Sequence, residues 1–256
     1  MKRIAFILLS LLIVSQAIIA VKAYKAKADI TLRFTSEGGT NASAVVWNPD
    51  KKLYYAVFAG NEDYPLEVFN ADGDYFANNN AGIDVRGLWY NKKTKYLEGN
   101  SAGNIGLFSM NIDREGVPFD VNNFHKGQYQ PDYQSVGTFN PQRRLIYYYY
   151  QGKIFVYKHK ISKKKPKEIK LKNCPVDFEN INATSMIFTG RRGEEFGILD
   201  YQLKKIYLFN RKGEYTAYIK LPDSAITDDY FRFSFANNRI WLYDSESRSW
   251  TAYKFQ

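Results

Sequence analysis

Val68-Phe69-Asn70-Ala71-Asp72-Gly73-Asp74-Tyr75 recurs 140 residues later as Leu208-Phe209-Asn210-Arg211-Lys212-Gly213-Glu214-Tyr215. In both copies apolar and aromatic residues lead into an Asn-x-x-Gly corner, and an acid and a Tyr lead out. The octapeptide reads as a strand, a tight turn and a returning strand. A hairpin repeated at this distance signals a repeat architecture.

Short apolar runs ending in a large aromatic extend the pattern along the chain. They are Ala44-Val45-Val46-Trp47, Arg86-Gly87-Leu88-Trp89, Val136-Gly137-Thr138-Phe139, Ser185-Met186-Ile187-Phe188 and Arg232-Phe233-Ser234-Phe235. Their terminal aromatics are spaced by 42, 50, 49 and 47 residues, the length of a unit of four short antiparallel strands. The turn after the aromatic is shared closely by Asn48-Pro49-Asp50-Lys51-Lys52-Leu53 and Asn140-Pro141-Gln142-Arg143-Arg144-Leu145. Pro presets φ at that corner and Asn can cap its own backbone. No stretch after residue 28 keeps a helical period, so almost no helix is expected. Phe235 is followed by only 21 residues, enough for two further strands but not three. The alternating stretch Asp29-Ile30-Thr31-Leu32-Arg33-Phe34-Thr35 precedes the first unit, and it can supply the missing strand.

On this spacing, the paired hairpins and the divided last unit, residues 29–256 resemble the β-propeller superfamily. The resemblance implies an all-β, five-bladed ring of four-stranded antiparallel blades, closed by the N-terminal strand so that only short edges remain. Neither the Trp-Asp dipeptide of WD repeats nor the Asp-box of sialidases is present, so no family's functional residues carry over. A β-sandwich, or a six-bladed ring hiding a degenerate unit within residues 108–134, is the structural alternative.

The chain opens with Lys2 and Arg3, followed by an apolar run over residues 4–21 and small-residue sites at Val21-Lys22-Ala23 and Ala26-Lys27-Ala28. This reads as a cleaved secretory leader, residues 1–28, with a retained membrane anchor as the alternative. The mature chain, residues 29–256, is then a single domain located in the periplasm or outside the cell, and a monomer. Cys174 is the one cysteine, which rules out an internal disulfide and leaves a packed thiol. The formal charge of +10 falls to +5 without the leader, and residues 158–172 alone hold +7 of it. The basicity is one patch, carried by Lys160, Lys163, Lys164, Lys165 and Lys167 among others. Such a patch is either a solvated loop or a contact for an anionic partner. Nucleic acid is not expected, because the rest of the mature chain sums to −2.

Three places before the aromatic the units carry Ala44, Arg86, Val136, Ser185 and Arg232, and Arg at two equivalent places inside strands is unusual. Asp84 lies just before one of those strands, and Asp228, Asp229 and Tyr230 before another. Arg86 and Arg232, with Asp84, Asp229 and Tyr230, are the expected ligand-binding residues, for an anionic group at the channel mouth. The competing reading pairs each Arg with its neighbouring Asp for blade packing. No catalytic residue, metal site or cofactor is expected. Asn70-Ala71-Asp72-Gly73-Asp74 looks like the start of a calcium loop, but the second copy has Lys212 in place of Asp72. His125 and His159 lack ligand-like spacing. The run Tyr147-Tyr148-Tyr149-Tyr150 is either a stacking surface or packing between blades. The function expected is a non-enzymatic binding module for a polymer, glycan or protein. The alternative is a glycan-processing hydrolase, which would need two facing carboxylates.

Overall fold

Alternation along the strands is masked in this protein because both faces of nearly every sheet are covered. The computed structural model describes residues 21–162, 165–175 and 181–256, and among these there are twenty strands and no helix. Three sheets are four-stranded, antiparallel and strictly consecutive. The first contains β2 (Asn41–Asn48), β3 (Leu53–Ala59), β4 (Pro65–Phe69) and β5 (Tyr75–Asn80). The second contains β6 (Val85–Asn91), β7 (Tyr96–Ser101), β8 (Leu107–Ile112) and β9 (Pro118–His125). The third contains β10 (Thr138–Asn140), β11 (Leu145–Tyr150), β12 (Lys153–Lys158) and β13 (Lys167–Lys170). Within residues 108–134, β9 is thus the fourth strand of the second sheet rather than a further unit.

The remaining strands form one eight-stranded sheet in the order β14-β15-β16-β17-β1-β20-β19-β18. Its first half is β14 (Ile187–Phe188), β15 (Phe196–Asp200), β16 (Lys205–Phe209) and β17 (Tyr215–Lys220). Its second half is β18 (Phe233–Ala236), β19 (Arg239–Asp244), β20 (Ser249–Phe255) and β1 (Lys22–Arg33). β1 joins the halves by changing partner along its length. Lys22 to Lys25 pair in parallel with β17, and Ala26 to Arg33 pair antiparallel with β20. The strand expected to complete the last unit therefore lies where the chain ends require it. It also starts at Lys22, inside the segment read from sequence as leader. Tyr24 there is buried against Phe255 and donates its hydroxyl to Glu194 at 2.6 Å.

Neighbouring sheets share apolar cores in succession. Tyr55, Val57 and Val68 pack with Leu88, Leu97 and Phe108. Trp89 and Leu107 meet Phe139, Ile146 and Tyr148. Tyr147, Tyr149 and Ile154 meet Phe196, Ile198 and Tyr207. Leu199, Ile206 and Ala217 meet Phe233, Ile240 and Tyr253. Leu32, Phe34, Trp241 and Trp250 then return to Tyr54, Phe58 and Phe69 of the first sheet. The tyrosine run is explained by the pleat: Tyr147 and Tyr149 face one neighbour and Tyr148 the other. Cys174 is half-buried at the margin of one of these cores.

Both copies of the octapeptide form the same corner. Asn70 Oδ1 accepts the N–H groups of Asp72 and Asp74, each at 2.9 Å, and its Nδ2 donates to Asp74 Oδ2 at 3.0 Å. Asn210 Oδ1 accepts from Lys212 and Glu214 at 2.9 and 3.1 Å, and its Nδ2 donates to Glu214 Oε2 at 2.7 Å. The shared acid thus holds the corner asparagine. Gly73 and Gly213 have φ of +97° and +79°, and a β-carbon at either would collide with the backbone of a strand in the neighbouring sheet, at Thr31 O of β1 and Lys170 O of β13.

Gly213→Ala is expected to cost about 1–3 kcal/mol through that strained backbone and contact, read as a lower midpoint in urea. A chain starting at Asp29, compared with one starting at Val21, is expected to lose about 3 kcal/mol or more with Tyr24 and its pairing. Equal melting temperatures for these two chains would show that residues 22–28 add nothing to the fold.

Candidate functional site

The first strands β2, β6, β10, β14 and β18 stand side by side, each contacting the next, with β18 meeting β2 again. Between them runs a channel of about 310 Å³, lined by Ala44, Leu88, Val136, Met186 and Phe233 and by all five aromatics of the repeat, Trp47, Trp89, Phe139, Phe188 and Phe235. Those aromatics lie at the ends of the first strands. The starts of β2 and β6 and the loops leading into β10 and β18, at the other end of the strands, line a second pocket of about 400 Å³, and this pocket contains both Arg86 and Arg232.

Arg86 is the second residue of β6 and is buried, 4% exposed. Its Nη1 donates to Asp84 Oδ1, its Nε to Gln134 Oε1 at 2.7 Å, and the guanidinium lies 5.1 Å from the Phe231 ring centre. Its Nη2 makes no hydrogen bond with the described residues. Asp84 also accepts the N–H of Gly60 at 2.7 Å, which fixes the carboxylate between two sheets. Arg232 immediately precedes β18 and is half-buried. Its Nη1 donates to Asp228 Oδ2 at 2.5 Å and its Nη2 to Asn41 Oδ1 at 3.0 Å. Its Nε is buried with no partner among the described residues. Arg232 also adopts a left-handed φ of +51°, unfavourable for a residue with a long side chain.

The structure shows the pairing reading of the arginines, and it brings the two side chains together. Each Arg pairs with its nearby Asp, and both Args line one pocket. Tyr230 lines it too, 51% exposed. Asp229 does not: its backbone carbonyl accepts the N–H of Ala183 at 2.7 Å. Burial, and then the neighbouring Asp228 carboxylate, push the Asp229 carboxyl up from its ordinary value. Gln134 and Asn41 also line the pocket, and the sequence reading passed over them. Neither stands in the repeat pattern at the position of the arginines.

Lys160, Lys165 and Lys167 are exposed, and Lys163 and Lys164 lie outside the described residues. Lys165 and Lys167 edge a cleft on the flank of the third sheet, away from the channel mouth.

A buried polar cluster at the aromatic end was also passed over. His159 Nε2 donates to Glu98 Oε2 at 2.6 Å, and Arg144 Nη2 donates to His159 Nδ1 at 3.3 Å. Glu98 also accepts from Asn91 Nδ2 at 2.8 Å, Thr94 Oγ1 at 3.0 Å and Trp89 Nε1 at 3.2 Å. Its signal lay in the repeat, since Asn91 and Glu98 are spaced like Asn48 and Tyr55, or Asn140 and Tyr147. In those units the Asn Nδ2 donates to the tyrosine hydroxyl at 3.3 Å. Glu98 therefore occupies a position that the repeat buries. Burial pushes its carboxyl up, but the hydrogen bond from His159, with those from Asn91 and Thr94, outweighs it and leaves the group below its ordinary 4.5.

No family model matches this chain, and no curated protein matches it. Among solved structures it is similar to the glutaminyl cyclase of Myxococcus xanthus, at 10% identity over 92% of this chain and 98% of that one, with a TM-score of 0.57. A nidogen/laminin complex aligns at 10% identity over 79% of this chain and 72% of that chain, with a TM-score of 0.47. The first likeness and the four-stranded sheets make this a β-propeller-like fold. At such identity it speaks of fold alone.

A carboxyl held low in the native state stabilises the fold above its ordinary value, and that stabilisation fades as pH falls through the depressed native value. Glu98→Gln should therefore remove part of the stability at neutral pH and flatten the loss below about pH 4.5. Urea midpoints across pH 3 to 7 (roughly the span over which a carboxyl titrates) measure both effects. Parallel curves for the two proteins would refute it.

Proposed function

We propose that this chain is an exported, five-bladed β-propeller that binds its ligand without transforming it, taking an anionic group of a glycan, polymer or protein partner at the channel mouth. The observation that carries the reading is the convergence of Arg86 and Arg232, from different sheets, on one pocket of about 400 Å³. Arg presents a planar fork of donors suited to carboxylate and sulfate. Asp84 and Asp228 hold the two guanidiniums in place, so little ordering remains when a ligand arrives. The unpartnered, buried Arg232 Nε leaves a donor unsatisfied at a cost of about 1–3 kcal/mol. Tyr230 offers an exposed ring beside them.

The blade count rests on treating the eight-stranded sheet as two blades with β1 lying between them. The succession of five shared cores and the cycle of first strands support this. Export rests on the charged and apolar start of the chain, with cleavage ahead of Lys22 so that β1 is kept whole. No helix among the described residues is long and apolar enough to cross a membrane. We take the protein to act as a monomer.

A hydrolase is the second reading, favoured by the adjacent Asp228 and Asp229 and by the raised Asp229 carboxyl, a state suited to a general acid. One screen separates the two: purified protein on an array of acidic and neutral glycans, beside chromogenic glycosides. Binding to uronic-acid or sulfated glycans without turnover is expected, weakened about tenfold or more by Arg232→Gln and by Tyr230→Ala. Turnover abolished by Asp229→Asn would overturn the binding reading, and so would binding indifferent to Arg232→Gln.

A further inference from the structure

The cleft between the third and fourth sheets carries a site that does not depend on the channel mouth. It has a volume of about 380 Å³, within the range of small-molecule pockets. Its floor is apolar, made by the half-buried Val156, Tyr157 and Ile169 of the third sheet, with the fully buried Phe196 of the fourth behind them. Burial, with Tyr129 beside it, pushes the Tyr157 hydroxyl up to about 12, so that wall carries no charge. Five cations stand around this floor: Arg143, Lys158, Lys165, Lys167 and Arg211. No Asp or Glu lines the cleft among the described residues. Arg211 is held by the buried Glu195 at 3.0 Å, whereas the other four form no ion pair with the described residues.

Two costs meet in this arrangement. Four uncompensated cations raise a positive potential over a concave, low-dielectric wall, where field lines are focused. Beneath them an apolar surface stays in contact with water. A simple inorganic anion would answer the first cost only, and an uncharged apolar molecule only the second. We propose that this cleft binds a small amphipathic anion, with an aromatic or aliphatic body on the floor of Val156, Tyr157 and Ile169 and a sulfate, phosphate or carboxylate under the cationic rim.

Calorimetric titration of the folded chain with 2-naphthyl sulfate, inorganic sulfate and the uncharged 2-naphthyl glucoside tests the idea. Naphthyl sulfate is expected to bind at one site, at least tenfold more tightly than either of the others. The exposed double change Arg143→Glu with Lys167→Glu should weaken it by tenfold or more. Val156→Trp, which fills the floor and leaves every charge in place, should do the same. The double charge reversal lies on the surface and keeps the test informative even if Val156→Trp fails to fold. Inorganic sulfate or the glucoside binding as tightly as naphthyl sulfate would overturn the proposal. So would a long polyanion such as dextran sulfate binding tightly to a folded Val156→Trp protein that still takes naphthyl sulfate, because the lysines would then act as an open patch.

Discussion

The ladder between residues 26–33 of β1 and β20 joins the first described stretch of the chain to the last. The other strand ladders among the described residues link strands of one local unit or extend from β1 itself, and one isolated bridge, Lys172 with Glu214, ties the end of the third unit to the corner between β16 and β17. Without the ladder between β1 and β20, the aromatic face of β19 and β20 would have only one covering layer, and Leu32 and Phe34 would leave the core they share with Tyr54, Phe58 and Phe69. A buried carboxylate secures the next turn. Glu67, fully buried in β4, accepts the backbone N–H groups of Thr35 and Ser36, the latter at 2.6 Å, so the loop leaving β1 is bonded to the first sheet. Buried charge of this kind is tolerable only when its lone pairs are occupied, and here they are.

The channel mouth inherits its geometry from that closure. Arg232 reaches Asn41 across the seam where the last unit meets the first, and its backbone N–H donates to Ala42 O at 3.1 Å. Arg86 and Gln134 belong to the second sheet and to the loop before the third. The pocket is therefore built at sheet junctions, by residues that are far apart in sequence. The paired aspartates explain how two arginines can sit near one another in a partly buried place. Each guanidinium is neutralised locally, and repulsion between them is screened before any ligand is present.

The aromatic end of the channel has a different logic. There the repeat aromatics fill space, and Trp89 stacks on Phe139 with ring centres 5.5 Å apart. The Glu98–His159 pair sits behind them in a position that other units give to a tyrosine. One repeat thus carries a carboxyl bonded to a histidine where its sisters carry a tyrosine hydroxyl, and the surrounding fold accommodates both because the donor from the corner asparagine is common to all three.

Strand order, the corner chemistry of Asn70 and Asn210, and the role of residues 29–35 were legible in the sequence, because each depends on contacts between residues close in sequence or on a period. The alternation that separates Tyr148 from Tyr147 and Tyr149 follows from the pleat alone. What the linear chain left undecided was which loops meet. Gln134, Asn41 and the His159–Glu98 contact are brought to their partners by the packing of one sheet on the next, and no spacing encodes that. The extent of β1 was likewise hidden. Residues 22–28 alternate no better than a leader's tail, and only the edges of β17 and β20, present once the sheets have closed, give their backbone groups partners.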